Sequence, residues 1–349
     1  MASPAASSAP PETGDLPTHD KARPEPKGGR VPGLDTLRFF LASWVVFCHA
    51  GFLPIARFGS NSVYGVFSRL AFNGSAAVMI FFLISGFCIH LPFAHGRRID
   101  PVPFYLRREV RILPPVAAMF ILSAIARDFS FVMVLWSLVC EEVYYCIYPG
   151  LSRIIKRFGF RNLLLASAVI AAILVACRVR RIDDDLQYQS YWFAWAMCLP
   201  IWLLGALLAE NLLTIREAVV PRWRVWAWRL GFWAFSAAAV SFSHHHVPIT
   251  YSLLFMGAMA YFWLRDEIAY FHRNPPPEWL EKVGLASYTL YLTHMIVVAK
   301  LGLNKEVAPT LQWLLGMGLI AAFVAVFYFA IERPSHRSAR AIARHFEHR

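Results

Sequence analysis

The sequence predicts an all-α membrane protein, a polytopic bundle of about ten transmembrane helices. Hydrophobic residues make up 58% of the 349 residues and charged residues only 16%, whereas soluble chains carry about a quarter charged residues. Apolar runs of about 20 residues recur after position 33. They are continuous rather than alternating, which favours helices over barrel strands because a backbone in lipid must satisfy its own hydrogen bonds.

Short loops join the predicted spans. Only Arg127 and Asp128 separate the third span from the fourth, so nine spans with one re-entrant segment are the alternative. The predicted spans are 34–56, 71–91, 111–127, 130–150, 161–177, 190–213, 226–243, 247–264, 280–301 and 310–331.

The chain divides into a membrane domain at 34–333 and two tails. Residues 1–33 are rich in Pro, Ser, Ala and charge without an apolar segment, so we expect a disordered N-terminal tail. Residues 334–349 form a basic C-terminal tail.

Basic residues sort by side when the loops are counted alternately. With a cytoplasmic N-terminus, 26 of the 34 Lys and Arg residues fall in cytoplasmic segments, which is the bias expected of membrane proteins. Both termini are therefore predicted to be cytoplasmic. The net charge of +12 follows from this bias without nucleic acid as a partner. A basic cytoplasmic face attracts anionic lipid and anionic soluble ligands.

Ionisable residues inside predicted spans are candidates for function because each costs roughly 2.5–3.5 kcal/mol to insert. Arg38 and His49 lie eleven residues apart on the first span, so both face one side, separated by about 16 Å along the helix. The alternatives are a snorkelling arginine and a histidine bonded in the core. Glu141 and Glu142 are adjacent in the fourth span, and packing as protonated carboxylic acids is their alternative role.

A second histidine, His294, lies in the ninth span, and Tyr288 and Tyr291 share an inclined stripe with it. This stripe suits the wall of a polar cavity, although tyrosines also serve as packing residues. On the cytoplasmic side, Arg108 and Arg111 share a helix face and are suited to bind phosphates through forked hydrogen bonds. The positive-inside bias explains these arginines equally well. Six cysteines show no metal-ligand spacing, and we expect no metal site.

Several segments together resemble the membrane acyltransferase-3 family, whose members acylate sugars, polysaccharides, lipids and some small molecules. The resemblance extends over most of the chain and rests on the order and spacing of its segments. These are Arg38 with His49, ISGF at 84–87, FYLRREVRILPP, WSLVCEEVYYCIYP, LLGALLAE at 203–210, SYTLYLTH at 287–294 and IERP at 331–334.

The resemblance implies transfer of an acyl group, by default acetyl, from cytoplasmic acyl-CoA to a hydroxyl of a glycan or lipid-linked acceptor. It implies a catalytic histidine at His49, with glutamates completing the polar site at Glu141 and Glu142. The matching arginines, which are expected to bind the donor, are Arg38, Arg108 and Arg111. We expect the acceptor cavity to be lined by Ser85, Tyr288, Tyr291 and His294. The expected location is a bacterial inner membrane.

Two departures from the family concern the acceptor: the chain is shorter than many family members between the third span and WSL, and we expect no appended soluble hydrolase-like domain. Acceptor choice is then expected to rest on the membrane cavity. His49 can act as a general base supported by a glutamate, or as the carrier of an acyl group, and the residues do not separate these mechanisms. A proton-coupled transporter using the same His and Glu groups is the alternative function, although no internal repeat is visible.

Overall fold

The computed structural model describes residues 31–52, 66–67, 70–96, 98–178, 193–243, 249–303 and 310–347. Every regular element within these ranges is helical, which confirms the predicted all-α class. The predicted N-terminal tail lies outside the described residues as far as residue 30.

The α-helices of the described residues are numbered here in chain order. They are α1 (Leu34–Ala50), α2 (Gly74–His90), α3 (Pro101–Ala126), α4 (Leu135–Phe158), α5 (Phe160–Arg178), α6 (Ala194–Glu210), α7 (Leu212–Glu217), α8 (Arg222–Ser243), α9 (Leu253–Arg273), α10 (Glu278–Gly284), α11 (Ser287–Lys300), α12 (Thr310–Phe327) and α13 (Arg333–Glu347). Short 3₁₀ turns at Leu91–Gly96, Ser130–Val134 and Ile249–Ser252 and a π turn at Tyr328–Glu332 connect some of them.

Within the described residues, five helical segments are long and apolar enough to cross a membrane. Helices α10 and α11 would add a sixth span, with a bend of 56° between them. Helix α6 is apolar but shorter, at 17 residues, and α1 also has 17 residues. The described part of the chain is thus all-helical and the chain is a membrane protein, while about ten spans and the orientation stay predictions. The five segments are Gly74–Gly96, Pro101–Ala126, Ser130–Phe158, Phe160–Cys177 and Thr310–Ile342.

The third predicted span differs from its helix mainly at the start. Helix α3 begins at Pro101, whereas apolarity placed the span at 111–127. The backbone N–H of Val102 donates to the carboxylate of Asp100 (3.3 Å), which caps a first half that is helical but basic rather than apolar. The helix ends before Arg127, whose left-handed backbone (φ 50°) separates the third and fourth spans.

Helices α2 and α6 cross with their backbones in contact at the centre of the bundle. A Cβ atom on Gly86 would lie 1.9 Å from the backbone oxygen of Trp202, and one on Gly205 would lie 1.9 Å from that of Leu83. Only glycine fits at either position. The crossing brings the indole of Trp202 to Ser85, which places this serine in the buried centre of the molecule.

The C-terminal region continues from α12 through the π turn into α13. Helix α13 lies against α3, where Arg111 Nε donates to His336 Nε2 (3.0 Å). The predicted basic tail at 334–349 is therefore helical as far as Glu347.

Candidate active site

Arg38 and His49 occupy the two ends of α1. The guanidinium of Arg38 donates to Asp35 Oδ1 (2.9 Å) and to Cys88 Sγ of α2 (3.1 Å). Eleven residues further along, about 16 Å in helical rise, the ring of His49 packs on His294 of α11. One helix thus presents a cation at one end and an imidazole at the other.

The two histidines form a stacked pair. Their ring centroids are 5.4 Å apart and their planes differ by 30°. His294 is fully buried and His49 is half-buried. The sequence placed both in membrane spans but did not pair them, because the contact depends on the packing of α1 against α11.

Glu141 belongs to a hydrogen-bonded network in the centre of the bundle. Its Oε1 accepts from Ser85 Oγ (2.8 Å) and from the hydroxyl of Tyr145. The indole of Trp202 donates to Ser85 Oγ (3.3 Å). Two predicted site residues, Ser85 and Glu141, are therefore in direct contact.

This network lies away from His49. The start of α2, at Gly74, lies beside the last turn of α1, and its other end lies beside Arg38. Ser85 is about 16 Å along α2 from the end that is level with His49. Glu141 therefore lies toward Arg38, and its support of His49 stays a prediction.

Arg108 and Glu142 are ionisable residues, and each has one buried polar atom without a hydrogen-bond partner among the described residues. The guanidinium of Arg108 lies 5.3 Å from the ring centroid of Phe104 and 5.5 Å from that of Tyr145. Its Nε is buried and has no hydrogen-bond partner among the described residues. Glu142 has a side-chain hydrogen bond with Glu109 and interacts electrostatically with Arg108, whereas its Oε1 is buried without a partner among the described residues.

The three predicted donor-binding arginines lie at the same end of the bundle. Arg38 and Arg108 both interact with Cys88, and Arg38 and Arg111 both interact with His336. Arg108 points between α3 and α4, whereas Arg111 is exposed and faces α13. Binding of one phosphate by both Arg108 and Arg111 stays a prediction.

The two predicted tyrosines have hydroxyl partners already. The hydroxyl of Tyr291 lies 2.7 Å from Ser137 Oγ and donates to the backbone oxygen of Val134 (3.1 Å). The hydroxyl of Tyr288 is 3.5 Å from the backbone oxygen of Ile112. Their role in lining a cavity stays a prediction.

Glu332 is a buried carboxylate to which the sequence assigned no role. It is fully buried and accepts from the backbone N–H of Thr289 (3.2 Å) and from the Thr289 hydroxyl. Its other oxygen, Oε1, is buried without a hydrogen-bond partner among the described residues and lies 3.4 Å from His336 Nε2, the atom that accepts from Arg111. The available signal was an acidic residue at the end of an apolar run, within IERP.

Comparison with known proteins gives one family match. The model of the acyltransferase domain of the acyltransferase-3 family matches residues 31–331, a range that includes every predicted site residue. Acyltransferase MdmB of Streptomyces mycarofaciens is 24% identical over 242 residues, which cover 58% of this chain and 60% of that relative. No solved structure matches the chain.

Proposed function

The chain belongs to the acyltransferase-3 family, and from that premise we propose that it transfers an acyl group from acyl-CoA to a hydroxyl of a glycan or lipid-linked sugar. Acetyl is the proposed group and acetyl-CoA the proposed donor. The proposed setting is a bacterial inner membrane with the N-terminus in the cytoplasm. Acyl transfer in general is supported by the family and by the acyltransferase relative.

The observation that carries the donor proposal is the distribution of groups along α1. The arginines Arg38, Arg108 and Arg111 lie together at one end of this helix, and the pair of His49 and His294 lies at the other. The rise of about 16 Å between Arg38 and His49 is similar to the length of an extended pantetheine arm. Phosphates held at the arginines would leave the thioester at the histidines.

Guanidinium groups suit the donor because they bind phosphate oxygens through paired, charge-assisted hydrogen bonds. The buried Nε of Arg108 is an unused donor in this part of the bundle. A phosphate oxygen at that position would complete its hydrogen bonding, which favours binding of an anionic ligand there.

The proposed reaction breaks the C–S bond of the thioester and forms the C–O bond of the new ester. The proton of the acceptor hydroxyl ends on the sulfur of the departing CoA. His49 acts either as the base that takes this proton or as a nucleophile that carries the acyl group. We also propose that Glu141 or Glu142 fixes the tautomer of His49 and stabilises its imidazolium.

The test uses purified protein in lipid vesicles supplied with acetyl-CoA. We expect release of CoA thiol, and we expect acetylated glycans or lipids in mass spectra of cells that contain the protein but not of cells that lack it. The exposed histidine His272, at the end of α9, provides a matched control, since His272→Ala should keep the activity that His49→Ala loses. Substrate-stimulated proton flux without thiol release would instead indicate the transporter.

A further inference from the structure

The hydrogen bonds of His294 fix which of its nitrogens carries the hydrogen. Its Nδ1 is 2.9 Å from the backbone oxygen of Tyr291 and 3.1 Å from that of Leu290. A carbonyl oxygen only accepts hydrogen bonds, so Nδ1 is the donor and the ring is held as the Nδ1–H tautomer. The other nitrogen, Nε2, therefore presents a lone pair.

That lone pair receives no hydrogen bond from any described residue, although the atom is buried. The ring of Tyr291 lies 6.3 Å from that of His294 between centroids, and its hydroxyl is already engaged with Ser137 and Val134. A buried acceptor without a donor destabilises the folded state, and such groups are rare unless a ligand or water completes them. Nε2 is thus suited to receive a hydrogen bond from a hydroxyl-bearing substrate.

The ring stacked on His294 is that of His49, with 5.4 Å between centroids. Two imidazoles this close can perform two chemical roles at once, which a single imidazole cannot. One ring can carry the acyl group while the other takes the proton of the attacking hydroxyl.

Resting on the acyl-transfer function proposed above, we propose that His294 Nε2 is the general base for the acceptor hydroxyl, while His49 carries the acyl group. In the first step His49 attacks the thioester carbonyl, a C–N bond forms, the C–S bond breaks, and the CoA sulfur takes the proton released by the His49 ring. In the second step the acceptor proton moves to His294 Nε2, the ester C–O bond forms and the C–N bond to His49 breaks. His294 then returns the proton to His49.

The two steps can be measured separately in lipid nanodiscs. Exchange of labelled CoA into acetyl-CoA reports the first step and needs no acceptor. Acetylation of octyl β-D-glucoside together with acetyl-CoA hydrolysis reports both steps. If the wild type catalyses neither reaction, the acyl-transfer function itself is contradicted. The inference about His294 is tested separately, by the ratio of the two rates.

The informative variant is His294→Asn, because the carboxamide N–H can still donate to Tyr291 while the Nε2 base is lost. We expect exchange to stay within about threefold of the wild type and net transfer to fall by roughly 10² to 10⁴. Thr293→Val is the matched control: its buried hydroxyl donates only along its own helix, to the backbone oxygen of Thr289 (2.8 Å), and both rates should be unchanged.

Two outcomes would overturn the assignment. Net transfer by His294→Asn near the wild-type rate would show that Nε2 takes no proton. Loss of exchange in proportion to transfer would make His294 a residue that only positions His49. The ratio of net transfer to exchange does not depend on how much of the protein is folded. His294→Gln therefore gives a second measurement of this ratio if His294→Asn folds poorly.

Discussion

Two parts of the molecule bury charged side chains and surround them in opposite ways. Between α8 and α9, the carboxylates of Asp266 and Glu267 are almost fully buried, and both have several donors within hydrogen-bond distance. These donors are the guanidinium groups of Arg224, Arg229 and Arg265 and the indoles of Trp228 and Trp263.

The candidate active site, by contrast, leaves hydrogen-bonding capacity open. Arg108 Nε, Glu142 Oε1 and His294 Nε2 are buried and have no hydrogen-bond partner among the described residues. Other described residues also have such atoms, for example Trp44 Nε1 and Ser236 Oγ, but these three belong to residues that the sequence singled out for function.

Buried charges with several partners hold α8 and α9 together. Buried polar atoms without partners are suited to bind a ligand. A buried ion pair is strongly destabilising to break, because its partner is left as an uncompensated charge. A buried polar atom without a partner calls for a different explanation, and a ligand is one. Substitutions should therefore affect stability in the first region and chemistry in the second.

The largest effect is expected for His49→Ala, which should reduce acyl transfer by roughly 10² to 10⁴ if a base is lost and by more if a covalent nucleophile is lost. His49 is half-buried and no hydrogen bond joins it to another described residue, so the unfolding temperature should change little. CoA release and thermal unfolding of the purified protein measure the two effects. Near-normal turnover in a folded sample would exclude His49 as the reacting group.

The same substitution at two glutamates gives the sharpest form of the comparison. Glu267→Gln removes a charge that is paired with Arg229 (3.2 Å) and accepts a hydrogen bond from the indole of Trp263 (2.7 Å), and we expect a loss of about 3 kcal/mol in the free energy of unfolding. The Arg229 side chain is 29% exposed, which keeps the loss at the lower end of the range for buried pairs. Turnover per folded molecule should be unchanged.

Glu142→Gln should show the reverse. Glu142 has a hydrogen bond with Glu109 that a carboxamide can keep, and its Oε1 has no partner to lose, so stability should change by less than about 1 kcal/mol. Turnover should fall roughly tenfold with little change in donor affinity, as expected when one hydrogen bond to a charged group is lost. Equal losses of stability at Glu142 and Glu267 would remove the distinction between the two regions.

Properties that depend on near neighbours in the chain could be predicted from the sequence. Continuous apolar runs were sufficient for the all-α class, and helical periodicity placed Arg38 and His49 about three turns apart on one helix. The start of α3 was placed late because its first turns are basic, and hydropathy detects lipid-facing residues rather than helical ones.

Pairings between distant segments could not be predicted in this way. The stack of His49 on His294 joins residues 245 positions apart, and the contact of Glu141 with Ser85 joins residues 56 apart. Such contacts follow from helix crossings, for example the one that Gly86 and Gly205 allow. The sequence therefore identified candidate residues and left open whether Glu141 or Glu142 supports His49. That support stays a prediction, while the hydrogen bonds of Glu141 to Ser85 and Tyr145 come from the packing of the helices.

A smaller effect is expected at the arginine end for Arg108→Ala. If Arg108 binds a phosphate of the donor as proposed, its removal should raise KM for acetyl-CoA by roughly 10- to 100-fold, with a smaller change in kcat. Arg107→Ala is the matched control, since Arg107 Nε donates to the backbone oxygen of Pro103 on its own helix (3.0 Å). An unchanged KM at normal protein levels would assign Arg108 to membrane orientation instead.

The smallest effect is expected for Arg111→Ala, because this guanidinium is exposed and already donates to His336. Contacts made by exposed charges are weak and are screened by salt, so we expect KM for acetyl-CoA to rise about two- to fivefold at low salt and to approach the wild-type value at high salt. Arg111→Lys refines the test, since lysine keeps the charge but not the forked geometry. If Lys restores KM to the wild-type value, Arg111 contributes only its positive charge. If KM stays raised, paired hydrogen bonds are required. Arg111 would then bind acetyl-CoA directly, as proposed for Arg108.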